Sequence, residues 1–233
     1  SVQGLKGESW KNRNVYQSGY FFVEGTILGD YRLSEYRLWD YGFDFYAPQS
    51  FRTEDGRLIQ IGWMGMPDCP EHTNHTLADG WQHCFTFPRE ITEKGGMLLQ
   101  SPVRELEEKK ELVCTVRDRL CKEQGKTFEV GVKDITEAGF RAVLAEELVL
   151  EYREGCFRMY FLHTEKEGVS GGRSMRCADL PKLQEVKILA DVSSVEVFLN
   201  GGEAVFSTRY YPDVYRVEAE VPGAELRFWN IRK

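Results

Sequence analysis

At 233 residues, 42% of them apolar and 29% charged, the chain has an ordinary globular composition and is long enough for one large domain or two small ones. A net charge of −7 argues against a phosphate-binding face, and so against nucleic acid as a partner. No apolar run reaches membrane-spanning length, and no membrane partner is expected.

In chain order, nearly everything reads as strand and turn. Val15 to Val23 is rich in aromatic and β-branched residues, and Phe43 to Phe51 and Leu58 to Met64 follow, separated by a Glu54-Asp55-Gly56 turn. Trp81 to Pro88 reads as another strand, after which Glu93-Lys94-Gly95-Gly96 turns into Met97 to Gln100. Propeller blades are four-stranded units of about 45 residues, so residues 1–101 would hold about two of them. Residues 102–110 have good helix composition in Arg104-Glu105-Leu106-Glu107-Glu108-Lys109-Lys110 and read as a linker.

Beyond the linker come Phe128 to Val132, Ala142 to Tyr152, Cys156 to His163, Val186 to Val192, Val195 to Leu199, Ala204 to Tyr210 and Leu226 to Trp229. Asn200-Gly201-Gly202 is a strong hairpin signal because Asn and Gly accept positive φ at low cost, and Arg153-Glu154-Gly155 reads as a second hairpin. Short strands with regular turns over residues 111–233 predict a β-sandwich, making the whole chain all-β.

The stretch richest in chemistry is Asp40 to Ala47, where four aromatic rings and two carboxylates fall within eight residues, ahead of Gly62-Trp63-Met64-Gly65. A sugar site needs flat apolar faces to stack on C–H groups and carboxylates that accept paired hydroxyl protons. The candidates for binding sugar are therefore Asp40, Trp63, Tyr46 and Asp44. Core packing is the competing role for each ring, and Asp44 and Tyr46 share a strand face that blade packing could also use.

The segment Asp40-Tyr41-Gly42-Phe43-Asp44-Phe45-Tyr46-Ala47-Pro48-Gln49 resembles the signature of glycoside hydrolase family 32, which holds the invertases, fructan hydrolases and sucrose-6-phosphate hydrolases. Gln3-Gly4-Leu5, Tyr16-Gln17-Ser18-Gly19-Tyr20, Gly62 to Asp68, Pro88-Arg89-Glu90 and Asp191 to Phe198 resemble further landmarks in family order. The resemblance implies the last blades of a five-bladed β-propeller followed by a C-terminal β-sandwich. It also implies that Asp40 helps hold a fructosyl unit and that Trp63 stands at the pocket rim.

Family members are about twice this long, and their nucleophilic aspartate, transition-state-stabilising aspartate and acid/base glutamate belong to motifs that do not occur here. Arg117-Asp118-Arg119 and Glu154-Gly155-Cys156 are the nearest strings, and their neighbours are wrong. The expectation is the C-terminal part of a retaining hydrolase of β-fructofuranosyl bonds in sucrose, sucrose 6-phosphate or fructan. It carries no catalytic residue, is inactive alone, and needs no cofactor or metal. The missing N-terminal half or a second copy would cover its exposed blade faces. The alternatives are a non-catalytic carbohydrate-binding module and an oligomerising β module.

The remaining signals point to structure. Six scattered cysteines without a Cys-x-x-Cys pair suggest buried free thiols in a reducing compartment, hence the cytoplasm, although a signal peptide on a missing N-terminus would change that. His72, His75 and His83 lack helical spacing and read as a polar loop. Glu196 reads as a structural strand carboxylate, Arg89 and Glu90 as an ion pair at a blade edge, and Arg209-Tyr210-Tyr211-Pro212 as an anchor between domains.

Overall fold

The computed structural model describes residues 2–3, 13–123 and 125–232. Gly4 and Leu5 of the first landmark, and the Cys121 thiol, lie outside what it describes. The described chain is all-β and begins with short strands: β1 (Val2–Gln3), β2 (Tyr16–Gln17), β3 (Gly19–Tyr20), β4 (Val23–Gly25), β5 (Tyr31–Leu33) and β6 (Arg37–Leu38). They pair as β1–β2, β3–β6 and β4–β5. The expected single strand from Val15 to Val23 is thus broken into three pieces.

A five-stranded antiparallel sheet follows. It contains β7 (Tyr46–Arg52), β8 (Leu58–Met64), β9 (Cys84–Phe85), β10 (Arg89–Lys94) and β11 (Met97–Pro102), in the order β11-β10-β8-β7 with β9 also on β8. Gly56 at φ 84° makes the β7–β8 turn that its sequence announces. Trp81 to Pro88 yields only the two residues of β9. Arg104–Lys109 forms a single 3₁₀ segment whose Leu106 is buried.

The remaining strands form one ten-stranded antiparallel sheet: β12 (Lys110–Glu123), β13 (Phe128–Lys133), β14 (Phe140–Leu144), β15 (Leu148–Arg153), β16 (Cys156–Phe161), β17 (Met175–Asp179), β18 (Val186–Asp191), β19 (Ser194–Leu199), β20 (Ala204–Arg209) and β21 (Arg216–Ile231). The sixteen-residue β21 organises it. β12 runs along one edge of β21, while β14 takes residues 217–220 and β13 takes residues 225–230 of the other edge. Between these stretches the register shifts, and Gly223, at φ 83°, donates its N–H to Asp118 Oδ1. This bulge bends the strand. The sheet therefore folds back on itself around one core, in which Phe140, Leu148, Leu150 and Phe157 meet Val130, Ile188, Val197 and Phe206.

In the ten-stranded sheet the sequence reading misses β12 and β17 and joins β14 to β15. β12 is an edge strand that is mostly exposed and highly charged, so its period-two pattern is diluted. Ala142 to Tyr152 divides into β14 and β15 because Ala145 and Glu146 both adopt positive φ, at 53° and 59°, a turn made without Gly or Asn. β17 is short and follows a glycine-rich loop. The Asn200-Gly201-Gly202 and Glu154-Gly155 hairpins form where expected.

The expectation of free thiols fails at one pair. Cys156 and Cys177 are diagonal neighbours on adjacent β16 and β17, with Cα atoms 6.8 Å apart, and form a disulfide. Cys69, Cys84 and Cys114 are free.

The two large sheets meet along β20, all six of whose residues are buried. Its inward Phe206 joins the main core, while outward Val205 packs with Leu106, Leu189 and Phe198. Residues 41–44 lie against its outer side: Tyr41 N–H donates to Val205 O at 2.8 Å and Asp44 N–H to Ser207 O at 3.1 Å. Gly42 permits this approach, since a Cβ there would stand 2.1 Å from Ser207 O. Gly42→Ala is expected to destabilise the chain by about 2 kcal/mol through overpacking, measured by urea unfolding.

Candidate functional site

The aromatic-acidic segment after β6 splits into two environments. Its acids turn inward to the contact between the sheets. Asp40 Oδ1 accepts the backbone N–H groups of Gly42 and Ser207, both at 2.8 Å, and Oδ2 accepts Ser207 Oγ at 2.6 Å and Arg89 Nη1 at 3.1 Å. Four donors fill the acceptor capacity of the carboxylate, and its side chain is 0% exposed. It is not free to bind a sugar hydroxyl, so the expected fructosyl-holding role of Asp40 gives way to a structural one.

Arg89 is also 0% exposed. Its Nε and Nη2 donate to Glu196 Oε2 at 3.0 and 2.6 Å, its Nη1 also reaches Gln100 Oε1 at 2.9 Å, and Nη2 donates to Ser207 Oγ at 2.6 Å. The guanidinium lies between the Phe45 and Phe198 rings, 4.9 and 5.4 Å from their centroids. Arg89 thus joins the five-stranded sheet to β19 and β20, and does not pair with Glu90, which instead lies 3.6 Å from Arg57. Glu196 is structural as expected, its Oε1 accepting Phe87 N–H at 2.7 Å. Burial raises the pKa of both Asp40 and Glu196 against the pull of Arg89, because two carboxylates share one cation out of water.

Asp44 is the counterpart on the other side of the segment. Arg173 grips it bidentately, Nε to Oδ2 at 2.6 Å and Nη2 to Oδ1 at 2.9 Å, and Arg209 N–H donates to Oδ2 at 2.8 Å. Both side chains are 1% exposed. Burial alone would raise the Asp44 pKa, but the charge and hydrogen bonds of Arg173 outweigh it and hold the carboxyl below the usual range. Asp44 is therefore also withdrawn from ligand contact. The Arg209-Tyr210-Tyr211 segment anchors the sheets, as its sequence suggests, with Tyr211 Oη directed at Asn74 Oδ1.

Beside this pair lies His72, its ring 5.9 Å from that of Phe43. Burial and then the Arg173 charge push its pKa down to about 4, against the smaller opposing pull of Asp44 and Glu71. Unfolding returns the ring to an ordinary pKa of about 6.5. Stability from neutral His72 is therefore fully present above that value and is lost as pH falls towards 4, by up to about 3 kcal/mol. Urea unfolding at several pH values should show this slope, and His72→Phe should flatten it. His75 stacks on Tyr211 with centroids 4.2 Å apart, and His83 meets the Trp63 ring edge-on at 4.7 Å.

The aromatic residues form the second environment. Tyr46 on β7, Trp63 on β8 and Phe85 on β9 stand opposite one another in register, so their side chains share one face. Tyr46 and Trp63 are 6.1 Å apart and half-buried, and Phe85 is 74% exposed. Tyr16 extends the row 5.4 Å from Tyr46 and donates its hydroxyl to Asp68 Oδ2. The lack of a side chain at Gly65 makes room for the indole of Trp63, since a Cβ there would stand 2.7 Å from it. The result is a partly open apolar strip with one hydrogen-bonding carboxylate at its end. Two of the four expected site residues, Tyr46 and Trp63, lie together here, and the other two, Asp40 and Asp44, do not. Tyr16 and Phe85 escaped the sequence because their neighbours are set by strand register.

Comparison with known proteins gives this arrangement its class. Residues 1–102 match the N-terminal domain of glycosyl hydrolases family 32, and residues 125–230 match the C-terminal domain of the same family. The chain belongs to glycosyl hydrolases family 32.

Among individual relatives, it is 34% identical to a sucrose-6-phosphate hydrolase of Staphylococcus xylosus, covering 91% of this chain and 46% of that protein. It is 35% identical to a raffinose invertase of Escherichia coli with the same coverages. The chain thus spans about half the length of the curated relatives it matches. In fold it resembles a beta-fructofuranosidase of Bombyx mori at a TM-score of 0.81 and 23% identity, over 99% of this chain and 50% of that one. A sucrose-6-phosphate hydrolase of Lactobacillus gasseri aligns at a TM-score of 0.82 and 21% identity, over 94% and 48%.

Proposed function

We propose that this chain is the C-terminal part of a retaining glycoside hydrolase that cleaves β-fructofuranosyl bonds, with sucrose, sucrose 6-phosphate or a fructan as substrate. The five-stranded sheet and the short strands before it would be the last blades of a five-bladed propeller, and the folded ten-stranded sheet a β-sandwich. The observation that carries the proposal is the succession of both family domains along one chain, N-terminal before C-terminal.

In such an enzyme one carboxylate attacks the anomeric carbon and a second protonates the leaving group, the two about 5 Å apart. Asp40, Asp44 and Glu196 do not serve, since they are already held by Arg89 and Arg173. The Tyr46–Trp63 strip would contribute an apolar wall that orients the sugar ring. Positioning without a nucleophile and an acid gives no turnover, so the chain by itself should be inactive.

Exposed apolar side chains support a missing neighbour. On the hairpin of β4 and β5, Ile27 is 73%, Leu28 99%, and Tyr31 and Leu33 each 52% exposed. An upstream half completing the propeller would cover them. The test is release of reducing sugar from sucrose and sucrose 6-phosphate, by this chain alone and after addition of the upstream half of a family member. Activity on addition only is the expected result, and activity of the chain alone would overturn the assignment. Cytoplasmic residence belongs to the same proposal.

A further inference from the structure

We propose that the outer face of the ten-stranded sheet carries a second binding site, for a neutral saccharide unit, separate from the Tyr46–Trp63 strip. The proposal goes beyond the hydrolase assignment and does not depend on it. A cavity of about 580 Å³ opens on this face, well within the size of small-ligand sites.

Its base is the outward row of β13, Glu129, Gly131 and Lys133. In register beside this row stand Trp229, Arg227 and Glu225 of β21, and Lys187 of β18 faces Gly131 from the other side. Gly131 gives the Trp229 indole room at the centre of this surface. A Cβ there would stand 3.0 Å from Trp229 Cζ3 and 3.2 Å from Cη2, so the indole packs over Gly131, with Lys110 Nζ 5.3 Å from its ring centroid, and forms an aromatic wall of the cavity.

The polar groups around this wall are poised for hydroxyls. Glu129 is 2% exposed; Lys110 Nζ donates to its Oε1 at 2.7 Å, which leaves Oε2 without a well-directed hydrogen bond. Lys187 stands 3.9 Å from Glu107 and Lys133 4.0 Å from Glu185, too far for direct hydrogen bonds. A hydroxyl between the members of such a pair would accept from the ammonium and donate to the carboxylate.

Balance of charge selects the ligand class. Five basic and five acidic side chains line the cavity, leaving no surplus of positive charge for a phosphate or carboxylate. A purely apolar ligand would strip these charges of water without replacing it. A ring with an apolar C–H face and several vicinal hydroxyls satisfies both the indole and the paired charges, which describes a neutral sugar.

The test is titration of the 233-residue chain with sucrose, glucose and fructose, followed by calorimetry and tryptophan fluorescence. Saturable binding is expected for at least one of them, weakened about tenfold by Trp229→Ala and by Gly131→Val. Lys187→Met, a partly exposed position outside the core, should also weaken binding while leaving the thermal midpoint unchanged, which separates lost contact from lost folding. Absence of saturable binding to the folded chain would overturn the proposal. So would binding that survives both Trp229→Ala and Lys187→Met. Failure of the hydrolase assignment would appear instead as no hydrolysis by the reassembled enzyme, with these affinities unaffected.

Discussion

Replacing Arg89 with methionine is expected to be among the most damaging single substitutions in the chain, lowering stability by about 4 kcal/mol. The guanidinium neutralises Asp40 and Glu196 and supplies hydrogen bonds to Ser207 and Gln100, all out of contact with water. Removing it strands two carboxylates and a hydroxyl that were arranged around it, and the penalty comes mostly from these uncompensated partners. For a chain of this length the thermal midpoint should fall by about 12 °C. Combining Arg89→Met with Asp40→Asn and Glu196→Gln should recover part of the loss, because it removes the buried charges along with their counter-ion. Thermal and urea unfolding of the single and triple variants check this. A loss below about 1 kcal/mol for Arg89→Met would mean that water reaches the site.

Cutting the Asp44–Arg173 pair should have a comparable effect. Arg173→Ala leaves Asp44 with only Arg209 N–H to meet its buried charge, and also frees the carbonyl groups of Ser170 and Thr73 that the guanidinium holds. The expected loss is about 3–5 kcal/mol. Asp44→Asn should be milder, since an amide keeps the shape and leaves only the cation unpaired. A double-mutant cycle on the two residues should give a coupling of more than about 1 kcal/mol, as befits groups in direct contact. The depressed pKa of Asp44 sets the sign of its acid response: its contribution is present above the ordinary carboxylate range and is lost as pH falls through the folded-state value. In Asp44→Asn that acid-dependent component should disappear.

These two clusters explain how far the sequence could be read. Strands with a clean apolar face, such as β8, β18 and β19, and turns built from Gly and Asn could be located because their signals are local. β12 could not, since an exposed edge imposes little hydrophobic pattern, and Ala145-Glu146 turns the chain with residues that ordinarily avoid positive φ. For the site, residue type suggested sugar binding wherever acids and rings alternate. The same alternation serves a different end here, with rings placed on one side and acids committed to the other. What decides the matter is the identity of partners 49 to 167 positions away, Arg89, Arg173 and Ser207, and no spacing in the segment from Asp40 to Tyr46 encodes them.

The position of β21 bears on how such a chain is made. Its residues lie at the centre of the ten-stranded sheet, touching β12, β13 and β14, yet they leave the ribosome after every other described strand. Neither half of that sheet can close until this strand arrives, and β20, which the first sheet leans on, gains its inner packing only then. Closure of the ten-stranded sheet therefore waits for β21. Loop-closure cost across the long separation of β12 and β13 from β21 makes this step slow, and until it is complete the unpaired strand edges are open to wrong pairing.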